Sequence, residues 1–355
     1  MKKIFMVIPS LGDGGGERLA INLSIKLVEK GFDVYLISLY KCVESVNYHL
    51  VKDNNLKLIC LDKKKGLDYS LFSKIKKLFK EIKPDIIHTH LDTLLYVIPF
   101  LNKKHKKYHT IHSIAEKEAV GLQKIIRNYA FKIKKVVPVA ICETVSTSIS
   151  KYYNINKNEI PIVYNGINTK KYYKKQNTDN SQFTLINVGT LYEVKNQKFL
   201  INVFYEFNKK YPNSKLNILG EGLLRTELET QIAKMNLSNK VMLLGKVSNV
   251  EDYLATSDVF VMTSLFEGLP LSMIEAMACG LPIVSSNVGG IKDLIDEGKN
   301  GFLLNSFDIK LFVDKISLLF EDSLLLAKLS DNNIDKAKLF DFDNMTINYI
   351  NLYLK

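Results

Sequence analysis

Along the chain, short runs of apolar and β-branched residues alternate with longer stretches whose apolar positions recur every three to four residues, the periodicities of strand and helix. Residues 3–9, 33–40, 56–62, 85–90, 107–112 and 135–142 read as strands, and residues 17–30, 67–83, 92–103 and 116–134 as helices between them. A second series follows the polar stretch 165–182, with strands at 183–189, 216–220, 241–245, 259–263 and 282–285. Such alternation predicts an α/β chain with parallel sheets wrapped by helices, because parallel strands need crossovers and the crossovers cover the sheet. The polar stretch is the natural boundary, giving domains at 1–165 and 166–339, and the helix-like spacing of 340–355 ends the chain.

Residues 264–284, SLFEGLPLSMIEAMACGLPIV, read as a strand end, a loop, a helix and the next strand. Glu267 lies in a turn with Gly268 and Pro270, and Glu275 falls inside the apolar helix that Gly280 and Pro282 stop. Pro270 is tolerated in a first helical turn because the amide it lacks would have had no partner there. That turn offers free amides and the positive end of the helix dipole beside a carboxylate, which suits a ligand carrying phosphates and hydroxyl-rich rings, such as a nucleotide sugar. Two glutamates eight apart are common by chance, and the spacing by itself favours a solvated helix face. The apolar runs 259–262 and 280–284 on either side leave such a helix little solvated face, since buried parallel strands flank it.

In open parallel sheets, ligands bind beyond the carboxyl ends of the strands. The loop 10–16 follows the first strand, and glycines there, Gly15 and Gly16 among them, let the backbone approach a phosphate or a reacting sugar. The loop is not a dinucleotide fingerprint: G-x-G-x-x-G from Gly12 would need glycine where the chain has Glu17, and Asp33 precedes the second strand, so a nicotinamide oxidoreductase is not expected. His88 and His90 end one strand and His112 the next, without a third ligand at metal-site spacing; His88 suits a satisfied core or edge position. Lys195, after the strand at 183–189, places a positive charge at these strand ends, where it suits a phosphate-bearing ligand.

With 355 residues, 46 % of them hydrophobic, the chain can bury two ordinary cores. No run of about 18 apolar residues occurs, so no bilayer span is expected. Met1, Lys2 and Lys3 lead into an apolar stretch that reads as a buried first strand and not as a secretion signal, which places the protein in the cytoplasm. Cys42, Cys60, Cys142 and Cys279 show no paired spacing, and reduced buried thiols are the expectation. The net charge of +12 resides in the N-terminal half: residues 1–165 hold 28 Lys and Arg against 15 Asp and Glu, and residues 166–355 hold 21 against 22. Basic clusters at 63–65, 74–80, 103–107 and 132–135 suit anionic lipid head groups, at roughly 1 kcal/mol per residue near the surface, with salt weakening the attraction. Peripheral association with the inner face of the cytoplasmic membrane is the reading preferred over a merely Lys-rich surface. No recognition helix, zinc finger or ribonucleoprotein motif accompanies the charge, so nucleic acid is not an expected partner.

The segment 264–284 resembles the E-x7-E motif of the retaining, nucleotide-sugar-dependent glycosyltransferases of the family 4 type, the glycosyl transferases group 1. The resemblance extends through the Gly-Gly turn at Gly289 and Gly290, the turn at 298–303, the run 219–225, the loop 14–18 and His88–Thr89–His90, in the family's order over nearly the whole chain. It implies the GT-B fold: two Rossmann-like, doubly wound parallel-sheet domains facing each other across a cleft, with the first acceptor-side, the second holding the nucleotide sugar, and the C-terminal helix crossing back to the first domain.

The resemblance also implies roles. Glu275 accepts hydrogen bonds from ribose hydroxyls; Glu267 contacts hydroxyls of the donor sugar while Gly268, Leu269, Pro270 and Leu271 line the sugar-phosphate turn; His112 contacts the sugar being transferred. Gly15, Gly16, Gly189, Thr190, Lys195, Arg225, Lys246 and Val247 complete the donor site, with Thr190 standing where the family often has Arg. The implied chemistry retains anomeric configuration with the departing phosphate assisting, from a UDP-linked donor to a saccharide or lipid-linked saccharide in capsule or lipopolysaccharide synthesis. No cofactor is expected. Metal-dependent transferases use a D-x-D loop; Asp341–Phe342–Asp343 fits the letters, but at the C-terminal segment a helix cap is the preferred reading, and activity insensitive to EDTA is expected. Three alternatives are a nucleotide-sugar epimerase, which would process donor without acceptor, a non-catalytic nucleotide-sugar-binding protein, and a basic nucleic-acid binder.

Overall fold

A computed structural model describes residues 1–12, 14–174 and 182–355. The chain divides into two compact units, Met1–Gly166 with Phe342–Lys355, and Ile167–Asp341. The division falls in the polar stretch 165–182, of which residues 175–181 lie outside the described residues, as does Asp13 of the glycine loop.

The first unit runs β1 (Lys3–Ile8), α1 (Gly15–Glu29), β2 (Asp33–Ser38), α2 (Val46–Asp53), β3 (Lys57–Cys60), α3 (Ser70–Ile82), β4 (Ile86–His90), α4 (Leu94–Val97), β5 (Lys106–Ile111), α5 (Ala115–Glu118), α6 (Leu122–Lys132), β6 (Val137–Ala140) and α7 (Glu143–Tyr153). Its six strands are parallel in the order β3-β2-β1-β4-β5-β6. The second unit runs β7 (Phe183–Val188), α8 (Gln197–Lys210), β8 (Ser214–Leu219), α9 (Arg225–Lys234), β9 (Val241–Gly245), α10 (Val250–Ala255), β10 (Val259–Met262), α11 (Leu271–Ala278), β11 (Ile283–Ser286), β12 (Gly301–Leu304), α12 (Ile309–Glu321) and α13 (Ser323–Ala337). Its sheet order, β12-β11-β10-β7-β8-β9, is the same doubly wound topology. Each sheet therefore has a switch point where the strand order reverses, between β1 and β4 in one unit and between β7 and β10 in the other.

The central strands are apolar along their length because helices cover both faces: β10, Val-Phe-Val-Met, is buried at every position. Helix α8 offers Leu200, Val203, Phe204 and Phe207 to the sheet at helical spacing. The last helix, α14 (Phe342–Leu354), belongs to the first unit and packs on α1. Met345, Tyr349 and Tyr353, four apart on one stripe, join that unit's core. The Tyr353 hydroxyl lies 2.6 Å from His88 Nδ1 and Tyr349 OH 3.0 Å from Thr110 Oγ1, so the helix satisfies polar groups of the central strands as it covers them.

Several sequence expectations need correction. The helix expected over 92–103 is two 3-10 turns around the four-residue α4: Leu91 enters it with φ +53°, and Pro99, without an amide hydrogen, sits in the second turn. The helix expected over 116–134 breaks into α5 and α6 at Gly121, whose φ is +54°. Helices α2, α7, α9, α10, α12 and α13 and the edge strand β12 lie outside the elements read from the sequence. Cys42 and Cys60 are not reduced thiols but a disulfide with Cα atoms 5.8 Å apart; Cys142 and Cys279 are free and buried. The pair escapes a spacing argument because it arises from the β2–β3 register, which sets Cys60 beside Ser38 just ahead of Cys42. No helix among the described residues is long and apolar enough to cross a membrane.

Candidate active site

In the second unit, β7 and β10 pair in parallel at the switch point, so the segments leaving their carboxyl ends are neighbours. After β7 the chain passes Gly189 and the exposed Thr190 into a 3-10 turn, Glu193–Lys195, and reverses at Asn196, φ +52°, to start α8. Leu265 N donates to Val194 O at 2.8 Å and Thr263 Oγ1 to Asn196 O at 3.1 Å, which stitches this turn to the segment after β10. Lys195 Nζ thereby reaches Glu267 Oε1 at 2.6 Å, its methylenes lying over Gly189. Ser264 Oγ donates to the same oxygen at 2.6 Å. Glu267 is only 9 % exposed, and its Oε2 takes no hydrogen bond from the described residues. A nearly buried carboxylate neutralised on one oxygen keeps lone pairs on the other for ligand hydroxyls.

The backbone of Glu267 is fixed from β11. Gly290 N donates to Glu267 O at 3.3 Å, and a Cβ on Gly289, whose φ is +56°, would stand 1.8 Å from that carbonyl. Only glycine allows this approach. From Glu267 the chain runs through Gly268, Leu269 and Pro270 to α11, whose first residue is Leu271 and which carries half-buried Glu275 one turn in. Beside it, burial pushes the Cys279 thiol up to about 12.

Toward β8 and β9 lie Arg225, Lys246 and Val247. Arg225 is engaged by its own surroundings: Nη1 pairs with Glu221, Nε with Glu229 at 2.9 Å, and Nη2 donates to Leu243 O at 3.1 Å. No hydrogen bond joins it to Lys195 or Glu267 among the described residues. Lys246, just after β9, is exposed. The structure thus brings Lys195, Glu267, Gly189 and Thr190 together, continues into Gly268–Glu275, and leaves Arg225 in an ion-pair network of its own.

In the first unit, Gly15 and Gly16 begin α1 immediately beyond β1 and its loop. A Cβ on Gly16 would come 3.3 Å from His112 Cγ, so the glycine admits the imidazole against the first helical turn. His112 Nε2 lies 2.9 Å from His90 Nδ1, and His90 stacks toward His88, with ring centroids 4.2 Å apart. His88 is bonded on both nitrogens, to Tyr353 and to Thr110 at 2.7 Å, and fills a core position. Burial, and then the charge of Arg127, pushes His112 down to about 3; burial, and then His112, takes His88 to about 3; His90 and His109 also fall well below the usual histidine range through burial. His112 is therefore a neutral imidazole at neutral pH, able to donate or accept a hydrogen bond.

Sequence reasoning missed what holds His112. The amides of His112 and Ser113 both donate to Glu118 Oε2, at 2.7 and 2.8 Å, while Glu118 Oε1 accepts from Arg127 Nη1 at 2.8 Å. Arg127, 1 % exposed, also donates to Leu91 O at 3.1 Å, tying the end of β4 to the end of β5. One signal was available: among 49 basic residues only Arg18, Arg127 and Arg225 are arginine, and two of these three make multidentate bonds that lysine could not. Asp341, immediately before α14, accepts from Thr169 N at 3.2 Å and from Thr169 Oγ1. No group of three His, Cys, Asp or Glu able to hold a metal ion occurs among the described residues.

Two family models match the chain, glycosyl transferases group 1 over residues 168–337 and glycosyltransferase family 4 over residues 13–171. An uncharacterized glycosyltransferase of Methanocaldococcus jannaschii is 32 % identical over 325 residues, covering 77 % of this chain and 80 % of that protein. The UDP-Gal:alpha-D-GlcNAc-diphosphoundecaprenol alpha-1,3-galactosyltransferase of Escherichia coli is 27 % identical over 343 residues, covering 88 % of this chain and 86 % of that protein. The crystal structure of Anabaena HepE in complex with UDP-glucose matches with a TM-score of 0.85 at 19 % identity over 100 % of both chains, a likeness of GT-B fold.

Proposed function

The chain belongs to the glycosyl transferases of group 1 and family 4, and from that membership we propose that it moves a hexosyl or N-acetylhexosaminyl group from a UDP-linked sugar to a saccharide or lipid-linked saccharide in bacterial surface polysaccharide synthesis. The donor class is supported by the UDP-glucose held in the HepE structure, and the acceptor class by the diphosphoundecaprenol substrate in the name of the Escherichia coli relative.

The observation that carries the reading is the Lys195–Glu267 pair at the switch point. Glu267 is assigned to the sugar hydroxyls through its unbonded oxygen, Glu275 to the ribose, and His112 to contact with the transferred sugar as a neutral hydrogen-bonding group. Lys195 supplies positive charge to the diphosphate as it departs, which is where charge grows in the transition state. In this retaining reaction the bond from the anomeric carbon to the diphosphate oxygen breaks, the acceptor oxygen bonds to the same face, and the acceptor proton passes to the departing phosphate. No protein nucleophile and no metal are required by that route.

The test is a thermal-shift panel of UDP, GDP and ADP sugars, followed by transfer to a lipid-linked saccharide with and without EDTA and assignment of the product anomer by NMR. UDP-sugar stabilisation, an α-linked product from an α-linked donor and indifference to EDTA are expected. A donor epimerised without acceptor, or an inverted product, would overturn the proposal.

A further inference from the structure

Helix α6 wears its apolar residues on the outside. Leu122, Ile125 and Ile133 are 68, 66 and 65 % exposed and Tyr129 45 %, whereas the helix turns Arg127 inward with Ala130 and Phe131. The exposed four recur every three to four residues and form one stripe, the side that a surface helix ordinarily buries. Arg127 is the reason for the inversion, since its ion pair with Glu118 and its bond to Leu91 O occupy the inward face. Ile125 and Tyr129 also edge an apolar groove of about 330 Å³ whose other walls include Phe72 of α3 and Leu95, Ile98 and Pro99 of the α4 region.

The charge around this surface is predominantly positive, with exposed Asp92, 3.7 Å from Arg127, and exposed Glu116 as acids beside it. Residues 119–135 contain four lysines and Arg127 and no acid; residues 101–107 contain four lysines and no acid; α3 contributes exposed Lys74, Lys76, Lys77 and Lys80 against the single Glu81. A contiguous apolar patch with a basic border is the arrangement by which a surface helix lies in a membrane interface, with aliphatic groups at the acyl boundary and lysines among the head groups. A second copy of the chain fits poorly, because a two-fold contact would set the lysine border against itself.

We infer that the α6 stripe and its groove seat on an anionic bilayer, Leu122, Ile125, Tyr129 and Ile133 entering the acyl boundary. The inference stands apart from the transfer reaction, because it concerns a face of the first unit that can be assayed without donor or acceptor.

The chain has no tryptophan, so Tyr129→Trp introduces a single reporter at the centre of the stripe. With vesicles of equal parts phosphatidylglycerol and phosphatidylcholine, its emission is expected to shift to the blue and to be quenched by lipids brominated on the acyl chain. Ile125→Glu with Ile133→Glu, both at exposed positions, is expected to lower co-sedimentation with those vesicles by about tenfold or more, from the lost burial of two aliphatic side chains. High salt or pure phosphatidylcholine vesicles should weaken binding of the unmodified chain. A UDP-glucose thermal shift retained by the double variant shows that fold and donor binding are intact, so a failure of vesicle binding and a failure of the donor reading register separately. Unchanged Trp emission, equal sedimentation of parent and double variant, equal binding to phosphatidylcholine alone, or a dimer that the glutamates convert to monomer would each overturn the inference.

Discussion

Lys195 Nζ sits 2.6 Å from Glu267 Oε1, across 72 residues of sequence, because the strands that precede them are neighbours at the point where the second sheet reverses its order. The Glu267 side chain is nine-tenths buried and that of Lys195 about four-fifths, so the pair is largely withdrawn from water.

Removing either partner leaves a buried charge. Lys195→Met and Glu267→Gln should each lower stability by about 3 kcal/mol or somewhat less, given the ammonium's residual exposure, and the double variant should lose less than the sum of the two. Lys195→Met should also cut kcat on the order of a hundredfold or more if the ammonium meets the departing diphosphate. Denaturant titrations and steady-state kinetics on the three variants check both parts, and strictly additive stability losses would show the pair to be uncoupled.

Glu275→Ala should weaken UDP-sugar binding by one to two orders of magnitude, from the loss of roughly 1.5–3 kcal/mol per hydrogen bond to a charged acceptor. The side chain is half-buried on an intact helix, so melting of the ligand-free protein should move little. Calorimetric titration with donor checks it, and unchanged affinity would remove Glu275 from the donor site.

Gly289→Ala should misplace Glu267 without touching its side chain. The new methyl group would stand against the Glu267 carbonyl at a residue with φ +56°, so both strain and collision oppose it. A stability loss of about 2 kcal/mol or more is expected, with a larger fall in kcat than Ala at solvent-facing Gly298 produces. Equal behaviour of the two variants would contradict the role given to the Gly-Gly turn.

Stability should fall as pH drops below about 6.5. His88 and His112 titrate near 3 in the folded chain, and His90 and His109 also lie well below the ordinary histidine range, so the unfolded chain binds more protons between those values and 6.5. One such imidazole contributes on the order of 2 kcal/mol of loss between pH 6.5 and pH 5. Glu118 and Glu17, whose pKa values burial raises, act in the opposite sense, their share of stability being lost as pH rises through their folded values, but they are two carboxyls against four imidazoles. Denaturation midpoints that stay level from pH 7 to pH 5 would show that the cluster can take up protons in place.

Reduction of the Cys42–Cys60 bond should lower stability by about 3 kcal/mol at most, the chain-entropy value for a loop of 18 residues. Denaturant titrations of the first unit's transition with and without dithiothreitol, and of Cys42→Ser, measure it. Identical midpoints would mean that the two thiols are not joined.

Much of this fold was legible because parallel strands covered on both faces must be apolar throughout, and such runs as Val259–Met262 stand out against the polar turns. The acids at 267 and 275 were legible for a local reason, a proline-started helix after a buried strand. What escaped were features with no local signature. Arg127 looks like one more basic residue in a lysine-rich helix, and its inward direction follows from a carboxylate supplied by the preceding short helix. The 116–134 periodicity was real, yet Gly121 broke it, and the inward bonds of Arg127 leave the apolar stripe of α6 outside.

From the order of its residues alone, this chain determines two α/β sheets, the strand ends where chemistry belongs, and a basic first half, because periodicity, turn residues and charge act over a few neighbours. Only the tertiary structure decided that Lys195 meets Glu267, that Cys42 meets Cys60, that Arg127 underlies His112 and that α6 faces outward. These depend on which strands lie side by side and in what register, and that is settled by the burial of whole faces at once, not by any short run of sequence.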